Sequence, residues 1–378
     1  MKRNMIKLGD VATYINGYAF KPEDRGEVGL PIIRIQDLTG NAYDLGFYNG
    51  DYPKRIEIND GDVLISWSAS LGVYVWNRGR ALLNQHIFKV QFDKVNIDKS
   101  YFVYAVRQKL AEMAMKTHGA TMKHIVKKDF EETLIPYPSL KKQIEIGTNL
   151  DKIDNIIVAR KQQLELLDEL VKARFVELFG DAIYNDKGWE NDTVEKLCKE
   201  IYGGGTPSKS HPEYYEDGDI PWVSSKDMKT DVLTDSQIKI NQLGVDNSTA
   251  RMVPINSVIM VIRSGILKHT LPVAINAVPI TVNQDLKVFI PNKRVLTRFL
   301  AIQFKMHEKD ILSGVRAVTA DNIEFNSLKQ RELIVPPIEL QQEYVTFLEQ
   351  IDKSKVAIKK SLDETQILFD SLMQKYFG

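Results

Sequence analysis

The stretch that decides the fold is residues 139–180, SLKKQIEIGTNLDKIDNIIVARKQQLELLDELVKARFVELFG. From Ile146 to Leu178 its apolar side chains recur at alternating intervals of four and three residues, over four to five heptads. An apolar stripe that takes two positions in every seven predicts a long helix that packs against another helix as a coiled coil. Pro138 stops the preceding segment and Gly180 suits the C-terminal cap, so we expect one helix over 139–180.

The same pattern returns 198 residues later, in residues 338–378, IELQQEYVTFLEQIDKSKVAIKKSLDETQILFDSLMQKYFG. We predict that the two helices pair antiparallel, which places Lys355 at the level of Leu167. Two unrelated surface helices are the alternative. At 1.5 Å per residue, a helix of about 40 residues is about 60 Å long. The predicted seam consists of Leu150, Ile153, Ile157, Leu164 and Leu167 in the first helix and Leu348, Ile351, Leu362 and Phe369 in the second.

The remainder of the chain is duplicated too. The tripeptide Asn84-Gln85-His86 reappears as Asn283-Gln284-Asp285, each time after a similar apolar run, 63–65 and 258–260. The order of features is the same in both halves, although identity is high only in the long helices. A period of this length indicates two duplicated domains and not a solenoid of short repeats.

The segments between the long helices predict mixed, mainly β domains. Short apolar runs are separated by Gly, Asn and Pro turns, and runs such as 61–67 and 257–262 are typical of strands. One amphipathic helix is expected in each half, over 100–116 and 295–312. The predicted fold class is therefore α+β, with two such domains joined by two long helices that form an antiparallel coiled coil, as a pseudo-two-fold internal repeat.

Composition narrows the class of protein. Hydrophobic residues make up 43% and charged residues 26% of the 378 residues, which excludes wholesale disorder, a collagen-like chain and a membrane bundle. The start of the chain lacks the apolar core of a signal peptide, so we expect a cytosolic protein. The single cysteine, Cys198, excludes a disulfide framework and a Cys-based zinc site in a monomer. Fifty basic and fifty acidic residues balance, which still permits one basic face.

The signatures of catalysis are missing from the sequence. The only Pro-Pro, Pro336-Pro337, follows Val335, so the Asn/Asp-Pro-Pro-aromatic loop of amino-methyltransferases is absent, and so is a phosphate-binding Gly-x-x-x-x-Gly-Lys-Ser/Thr loop. His118 and His124 lie six residues apart, a spacing more typical of a polar loop than of a metal site. Asp-x-Lys occurs at 227–229 and 285–287, where chance explains so short a pattern in a Lys-rich chain. The chain is predicted to bind and not to catalyse, with no metal and no cofactor of its own.

Loops that follow matching strands differ in chemistry between the halves. The glycine cluster at 203–205 can cradle a phosphate with its backbone N–H groups, or it can be a flexible turn. Its counterpart at 16–21 keeps one glycine and gains aromatic residues. Arg, Asn, Gln, Ser and Thr are the residue types that read base edges, and Lys and Arg neutralise phosphates. A shared scaffold whose loops differ in chemistry is a stronger indication of a binding function than any one of these residues.

Several of these segments resemble one family. Residues 204–208 followed by 218–228 (GDIPWVSSKDM) look like the opening of a target recognition domain of the specificity subunits of type I restriction-modification systems. Residues 335–343 (VPPIELQQE) look like the segment that closes such a domain, and 135–144 is a weaker first copy. Residues 7–38 depart most from the family pattern. The resemblance implies target recognition domains over 1–138 and 181–337, a central helix over 139–180 and a C-terminal helix over 338–378.

What the resemblance implies is a non-catalytic DNA reader. Each domain would read one half of a split, asymmetric target in double-stranded DNA, and the 60 Å helices, about 18 base-pair steps long, would set the gap. Two methyltransferase (M) subunits would supply S-adenosylmethionine and adenine-N6 chemistry, and restriction/translocase (R) subunits would use ATP and Mg. We predict DNA contacts by Lys21, Trp67, Ser68, Thr121 and Lys123 in the first domain and by Arg263, Lys268, Arg316 and Asn322 in the second.

Two other classes of function stay open on the sequence alone. A coiled-coil adaptor whose β-rich domains bind proteins or glycans would not bind duplex DNA in a salt-dependent way. A self-contained nuclease or methyltransferase would be active as a purified chain, and the missing motifs argue against it.

Overall fold

The computed structural model describes residues 4–40, 46–116, 125–314, 316–317 and 321–378, and it divides the chain into two units. The first unit comprises Met1–Gln162 and Ile358–Gly378, and the second unit comprises Gln163–Ala357. Each unit therefore contains a part of both long helices. The predicted α+β class is confirmed, because mixed sheets and long helices form both units.

In the first unit the strands form two four-stranded sheets and one pair, with orders β2-β9-β6-β7, β4-β3-β8-β5 and β1-β10 among the described residues. The strands are β1 Met5–Lys7, β2 Thr13–Asn16, β3 Leu30–Ile33, β4 Phe47–Tyr48, β5 Glu57–Ile58, β6 Val63–Ser66, β7 Gly72–Val75, β8 Ala81–Leu83, β9 Ile87–Gln91 and β10 Leu134–Pro136. The helices are α1 Leu8–Val11, α2 Ile35–Thr39, α3 Lys99–Lys116, α4 Lys127–Glu131 and, extending into the second unit, α5 Leu140–Phe179.

The second unit repeats this plan. Its strands are β11 Asn191–Thr193, β12 Cys198–Gly203, β13 Ile220–Val223, β14 Val232–Leu233, β15 Lys239–Ile240, β16 Val258–Val261, β17 Val273–Asn276, β18 Thr281–Val282, β19 Leu286–Pro291, β20 Arg316–Ala317, β21 Asp321–Asn322 and β22 Glu332–Ile334. The helices are α6 Val194–Leu197, α7 Gln242–Asp246, α8 Thr297–Met306, α9 Glu308–Ser313, α10 Phe325–Gln330 and α11 Ile338–Phe377, of which α11 extends into the first unit.

Strand order shows the duplication directly. Sheet β12-β19-β16-β17-β14 corresponds to β2-β9-β6-β7, and β15-β13-β18 corresponds to β4-β3-β8. In each unit the first strand pairs antiparallel with the strand just before a long helix, β1 with β10 and β11 with β22. In each unit the first strand is thus hydrogen-bonded to the strand just before the long helix.

The long helices run antiparallel, as predicted. In the first unit, Ile146 and Leu150 near the start of α5 share a core with Phe369 and Phe377 near the end of α11. In the second unit, the end of α5 meets the start of α11, where the Tyr344 hydroxyl donates to the Val171 carbonyl at 2.9 Å. These two sets of contacts, one inside each unit, require opposite chain directions.

The seam residues are buried to different degrees. Leu164 and Leu167 are half-buried, and the predicted level of Lys355 is confirmed because its Nζ lies 2.5 Å from Asp168 Oδ1. Gly180 ends α5 with φ +77° and donates its N–H to the Val176 carbonyl, as expected of a glycine cap. The remaining seam positions are buried for Leu150, Ile157, Leu348, Ile351 and Phe369 and half-buried for Ile153 and Leu362.

One expected element differs. The helix predicted over 295–312 is broken at His307 into α8 and α9. His307 has φ −86° and ψ 4°, whereas an α-helix needs ψ near about −42°, so the chain turns there. Its side chain is buried, and burial in this environment lowers the pKa of the imidazole. The one-helix prediction is wrong because the apolar pattern continues through a residue whose backbone leaves the helix.

A buried glutamine fastens each long helix to its own domain. Gln341 Oε1 accepts from the Leu296 N–H at 2.9 Å, and its Nε2 donates to the carbonyls of Arg294 and Pro336 at 3.0 and 2.8 Å. In the first unit, Gln143 Oε1 accepts from the Asp98 N–H at 3.0 Å. The amide of Gln143 also donates to the carbonyl of Pro138 at 2.8 Å. Each glutamine side chain therefore accepts a hydrogen bond from the residue just before the amphipathic helix, α3 or α8, and donates one to the segment that closes the domain.

We expect the change Gln341→Met to lower the free energy of unfolding of the second unit by about 3 kcal/mol, because it leaves a part-buried N–H, a part-buried carbonyl and a buried carbonyl without their partner. Gln143→Met, which removes two such bonds, should cost about 2 kcal/mol in the first unit. Hydrogen–deuterium exchange read separately over each unit measures both changes. Gln350→Met, on an exposed position of α11, is the control. Equal exchange in Gln341→Met and Gln350→Met would show that the buried glutamine is not a fastening point.

Candidate nucleic-acid interface

Strand register brings the loops singled out above to one end of each sheet. In the second unit Gly203 pairs with Lys287 and Val261 pairs with Leu286, so β12 and β16 end where β19 begins. In the first unit Asn16 pairs with Phe88 and Ser66 with Ile87, which places the ends of β2 and β6 at the start of β9. The loops after β2 and β6 and the turn before β9 therefore converge, as do their counterparts in the second unit.

In the second unit, backbone pairing connects three of the predicted contact residues. Arg263 forms an antiparallel bridge with Asn322, and Asn322 pairs with Arg316 between β20 and β21. The Arg263 guanidinium lies 2.6 Å from Asp285 Oδ1, and the Lys268 Nζ lies 3.8 Å from an oxygen of Asp321. Arg263, Lys268 and Asn322 are exposed. The result is a polar surface in which exposed cations are held next to carboxylates.

The glycine cluster is held in place rather than loose. A Cβ on Gly204 would lie 1.8 Å from the Val282 carbonyl oxygen, so only glycine allows this approach. The Gly205 N–H donates to that same carbonyl at 3.0 Å, and the Trp222 indole N–H donates to the Gly205 carbonyl at 2.9 Å. The Gly205 N–H is therefore engaged inside the protein and is not available to a phosphate.

In the first unit three of the five predicted residues lie within the described ranges. Lys21 is exposed at the start of the short 3-10 turn Pro22–Asp24, and its N–H donates to Asp24 Oδ2 at 2.7 Å. Trp67 stacks on Phe88, with ring centroids 5.6 Å apart and planes inclined by 22°, so much of its ring serves packing. Ser68 beside it is half-buried. Thr121 and Lys123 lie outside the described residues, as does the side chain of Arg316 in the second unit.

Equivalent backbone hydrogen bonds hold the loop after β6 in the first unit and the loop after β16 in the second unit. The N–H of Ile125 donates to the Trp67 carbonyl at 3.0 Å, and the N–H of Ile323 donates to the Ile262 carbonyl at 2.9 Å. Ile125 follows the segment that carries Thr121 and Lys123, and Ile323 follows the segment that carries Arg316 and Asn322. The first unit therefore shares the backbone plan of the second, with Trp67 beside the position where the second unit has Arg263.

Sequence reasoning missed the acidic partners of the cations, Asp285 and Asp321, and the hydroxyl of Thr206, which donates to Gln284 Oε1. The recurrence of Asn-Gln at 84–85 and 283–284 was the signal that pointed to this place.

Reactive groups are few among the described residues. Within the described ranges, no three His, Cys, Asp or Glu side chains are grouped as metal ligands. Burial raises the pKa of the Cys198 thiol to about 12, so the thiolate that a nucleophile needs is scarce at neutral pH. The arrangement offers hydrogen-bond donors, acceptors and cations, which suit recognition.

Comparison with known proteins agrees with this description. The sequence model described as "Type I restriction modification DNA specificity domain" matches residues 2–167 and 186–366. The chain belongs to this family of DNA specificity domains, and it carries two of them.

Individual relatives support the same family. The EcoR124I/EcoR124II specificity subunit of a type I restriction enzyme from Escherichia coli is 32% identical over 232 residues, which are 60% of this chain and 56% of that one. The EcoBI specificity subunit, also from Escherichia coli, is 22% identical over 98% of this chain and 85% of its own length. The crystal structure of the type I restriction-modification S subunit from M. genitalium covers 100% of this chain and 96% of its own, with a TM-score of 0.62 and 14% identity, and it shows the same fold.

None of the helices in the described ranges combines the length and the apolar character that a membrane span requires.

Proposed function

We propose that this chain is the specificity subunit of a type I restriction-modification complex and that each of its two units reads one half of a bipartite, asymmetric target in double-stranded DNA. The observation that carries the proposal is the convergence of polar loops at the same end of the same sheet in both units. The scaffold is shared, while Ser68 and His86 stand in one unit where Arg263 and Asp285 stand in the other. Two such surfaces with different chemistry suit two different half-targets.

The two long helices are proposed to set the gap between the half-targets. Both α5 and α11 contribute residues to each unit. An α-helix rises 1.5 Å per residue, so the length of these helices corresponds to many base-pair steps of duplex DNA. A reader whose spacing is built from helix length recognises half-targets at one separation only.

The chemistry is proposed to reside on partner subunits. The relatives are named as specificity subunits of restriction enzymes, and a subunit of that kind acts together with other chains. Two methyltransferase subunits carrying S-adenosylmethionine would methylate adenine N6, and restriction/translocase subunits using ATP and Mg would cleave. The chain itself would be non-catalytic and would work in the cytoplasm, where the DNA lies.

Exchanging residues 1–138 for the matching domain of another specificity subunit tests the proposal. Because β1 pairs with β10 inside that segment, the exchanged piece brings its own closing strands. We expect mapping of methylated adenines, in cells that also carry the methyltransferase subunit, to show one half-target changed and the other kept. The unmodified complex should bind duplex DNA less tightly as salt rises. A complex that binds no duplex DNA, or an exchange that alters both halves, contradicts the proposal.

A further inference from the structure

One exposed side chain is identical at the centre of both loop clusters. It is the glutamine of the Asn-Gln turn, Gln85 between β8 and β9 and Gln284 between β18 and β19. The asparagine before each glutamine is shielded, half-buried for Asn84 and 8% exposed for Asn283, while both glutamines are exposed. The fold therefore buries one amide and presents the next in both units.

The same backbone bonds hold the turn in both units. The Asn84 N–H donates to the Ile33 carbonyl at 3.1 Å and the Asn283 N–H donates to the Val223 carbonyl at 2.9 Å, each at the end of a central strand. The carbonyl of each asparagine accepts from the residue three positions on, Ile87 at 3.2 Å and Leu286 at 3.3 Å. A turn fixed by equivalent bonds in two divergent domains places its exposed residue in an equivalent position.

A glycine of the preceding loop packs against each turn. A Cβ on Gly17 would lie 2.1 Å from the Asn84 carbonyl oxygen, and one on Gly204 would lie 2.5 Å from the Asn283 carbonyl oxygen. The two glycines thus allow the variable loops to lie directly on the turn. The neighbours of the glutamine differ accordingly, with Gln85 Nε2 lying 3.3 Å from His86 Nε2 in the first unit and Gln284 accepting from Thr206 in the second.

We infer that Gln85 and Gln284 each read the edge of an adenine in their own half of the DNA target. The inference rests on the proposed function. A glutamine carboxamide offers one donor and one acceptor, which match N7 and the N6 amino group of adenine in the major groove. The side chain carries no charge, so its contribution to binding comes from a base and not from neutralising a phosphate. The two half-targets then share an adenine at corresponding positions, although the surrounding loops differ.

Gln284→Leu and Gln85→Leu test the inference in the complete complex with the methyltransferase subunit. Each change should abolish the preference for one A·T pair in one half-target only, with a loss of discrimination of about 5- to 150-fold at that position. The slope of log affinity against log salt should stay unchanged, whereas Arg263→Ala, which removes a charge, should lower the slope by about one if the arginine contacts a phosphate. Gln91→Leu on β9 and Gln242→Leu on α7 are matched controls at exposed glutamines away from the turns.

Gln284→Glu keeps the test decisive if the leucine variants fold poorly, since glutamate has the same shape. It accepts but does not donate, so the preference at the affected position should move from adenine toward cytosine. An unchanged methylated motif in the folded variants, or a uniform loss at all positions, would overturn the inference. Failure of the proposed function is seen separately, because the unmodified complex would then mark no bipartite motif.

Discussion

Removing one heptad from each long helix, residues 157–163 of α5 and 356–362 of α11, is expected to shorten the gap between the half-targets by about three base pairs. Seven residues rise about 10.5 Å, and one base-pair step rises about 3.4 Å. Both segments are removed because α5 and α11 run antiparallel, so a matched deletion keeps the two apolar seams opposite each other. The methylated motif read from genomic DNA is the measurement.

The expected loss of methylation is large because a target either fits both units or does not. A target with the original gap no longer fits both units, so methylation at the original motif should be lost rather than reduced. Duplicating the same two heptads should lengthen the gap by a similar amount, and replacing them with heptads of equal length should leave it unchanged. Retention of the original gap in the shortened protein would show that the helices do not set the spacing.

Phe299→Ala is expected to destabilise the second unit by about 3–5 kcal/mol, the usual cost of emptying a buried aromatic site. The Phe299 ring is fully buried, and its centroid lies 4.9 Å from that of Phe179, 5.9 Å from that of Phe175 and 6.4 Å from that of Tyr344. One residue of α8 thus touches both α5 and α11. Urea unfolding together with hydrogen–deuterium exchange over 163–357 measures the loss.

Two further variants serve as references for the loss expected in Phe299→Ala. Tyr344→Phe removes only the hydroxyl that donates to Val171 and should cost about 0.5–1.5 kcal/mol. Val356→Ala, at a position that is 68% exposed, should change the free energy of unfolding by less than about 0.5 kcal/mol. If Phe299→Ala unfolds at the same urea concentration as Val356→Ala, the aromatic cluster does not join the helices to the domain.

The long helices could be predicted almost to the residue, because their signal is local and repeated. Heptad spacing and a terminal glycine predicted 139–180, and the helix spans Leu140–Phe179. The strands 63–66 and 258–261 likewise lie inside predicted apolar runs. The break at His307 could not be foreseen, because nothing in the apolar pattern marks the residue whose backbone leaves the helix.

The candidate site was less accessible to sequence reasoning because its contacts join distant residues. Arg263 was chosen from its loop, but its partner Asp285 lies on a different loop, and only sheet register brings the two together. Gln341 shows the same limit, since its bonds reach Arg294 and Leu296 without any periodic pattern. The Asn-Gln repeat could be recognised in the sequence, whereas the exposure of its glutamine depends on the backbone hydrogen bonds of the turn.

The shielded thiol of Cys198 gives this chain a practical property. The sequence contains one cysteine, and its raised pKa leaves it poorly reactive toward maleimides and methanethiosulfonates at neutral pH. A new cysteine placed at an exposed position of each unit would therefore accept a spin label or dye almost exclusively. Electron–electron dipolar spectroscopy on such a doubly labelled protein would give the distance between the two units in solution, with and without nucleic acid.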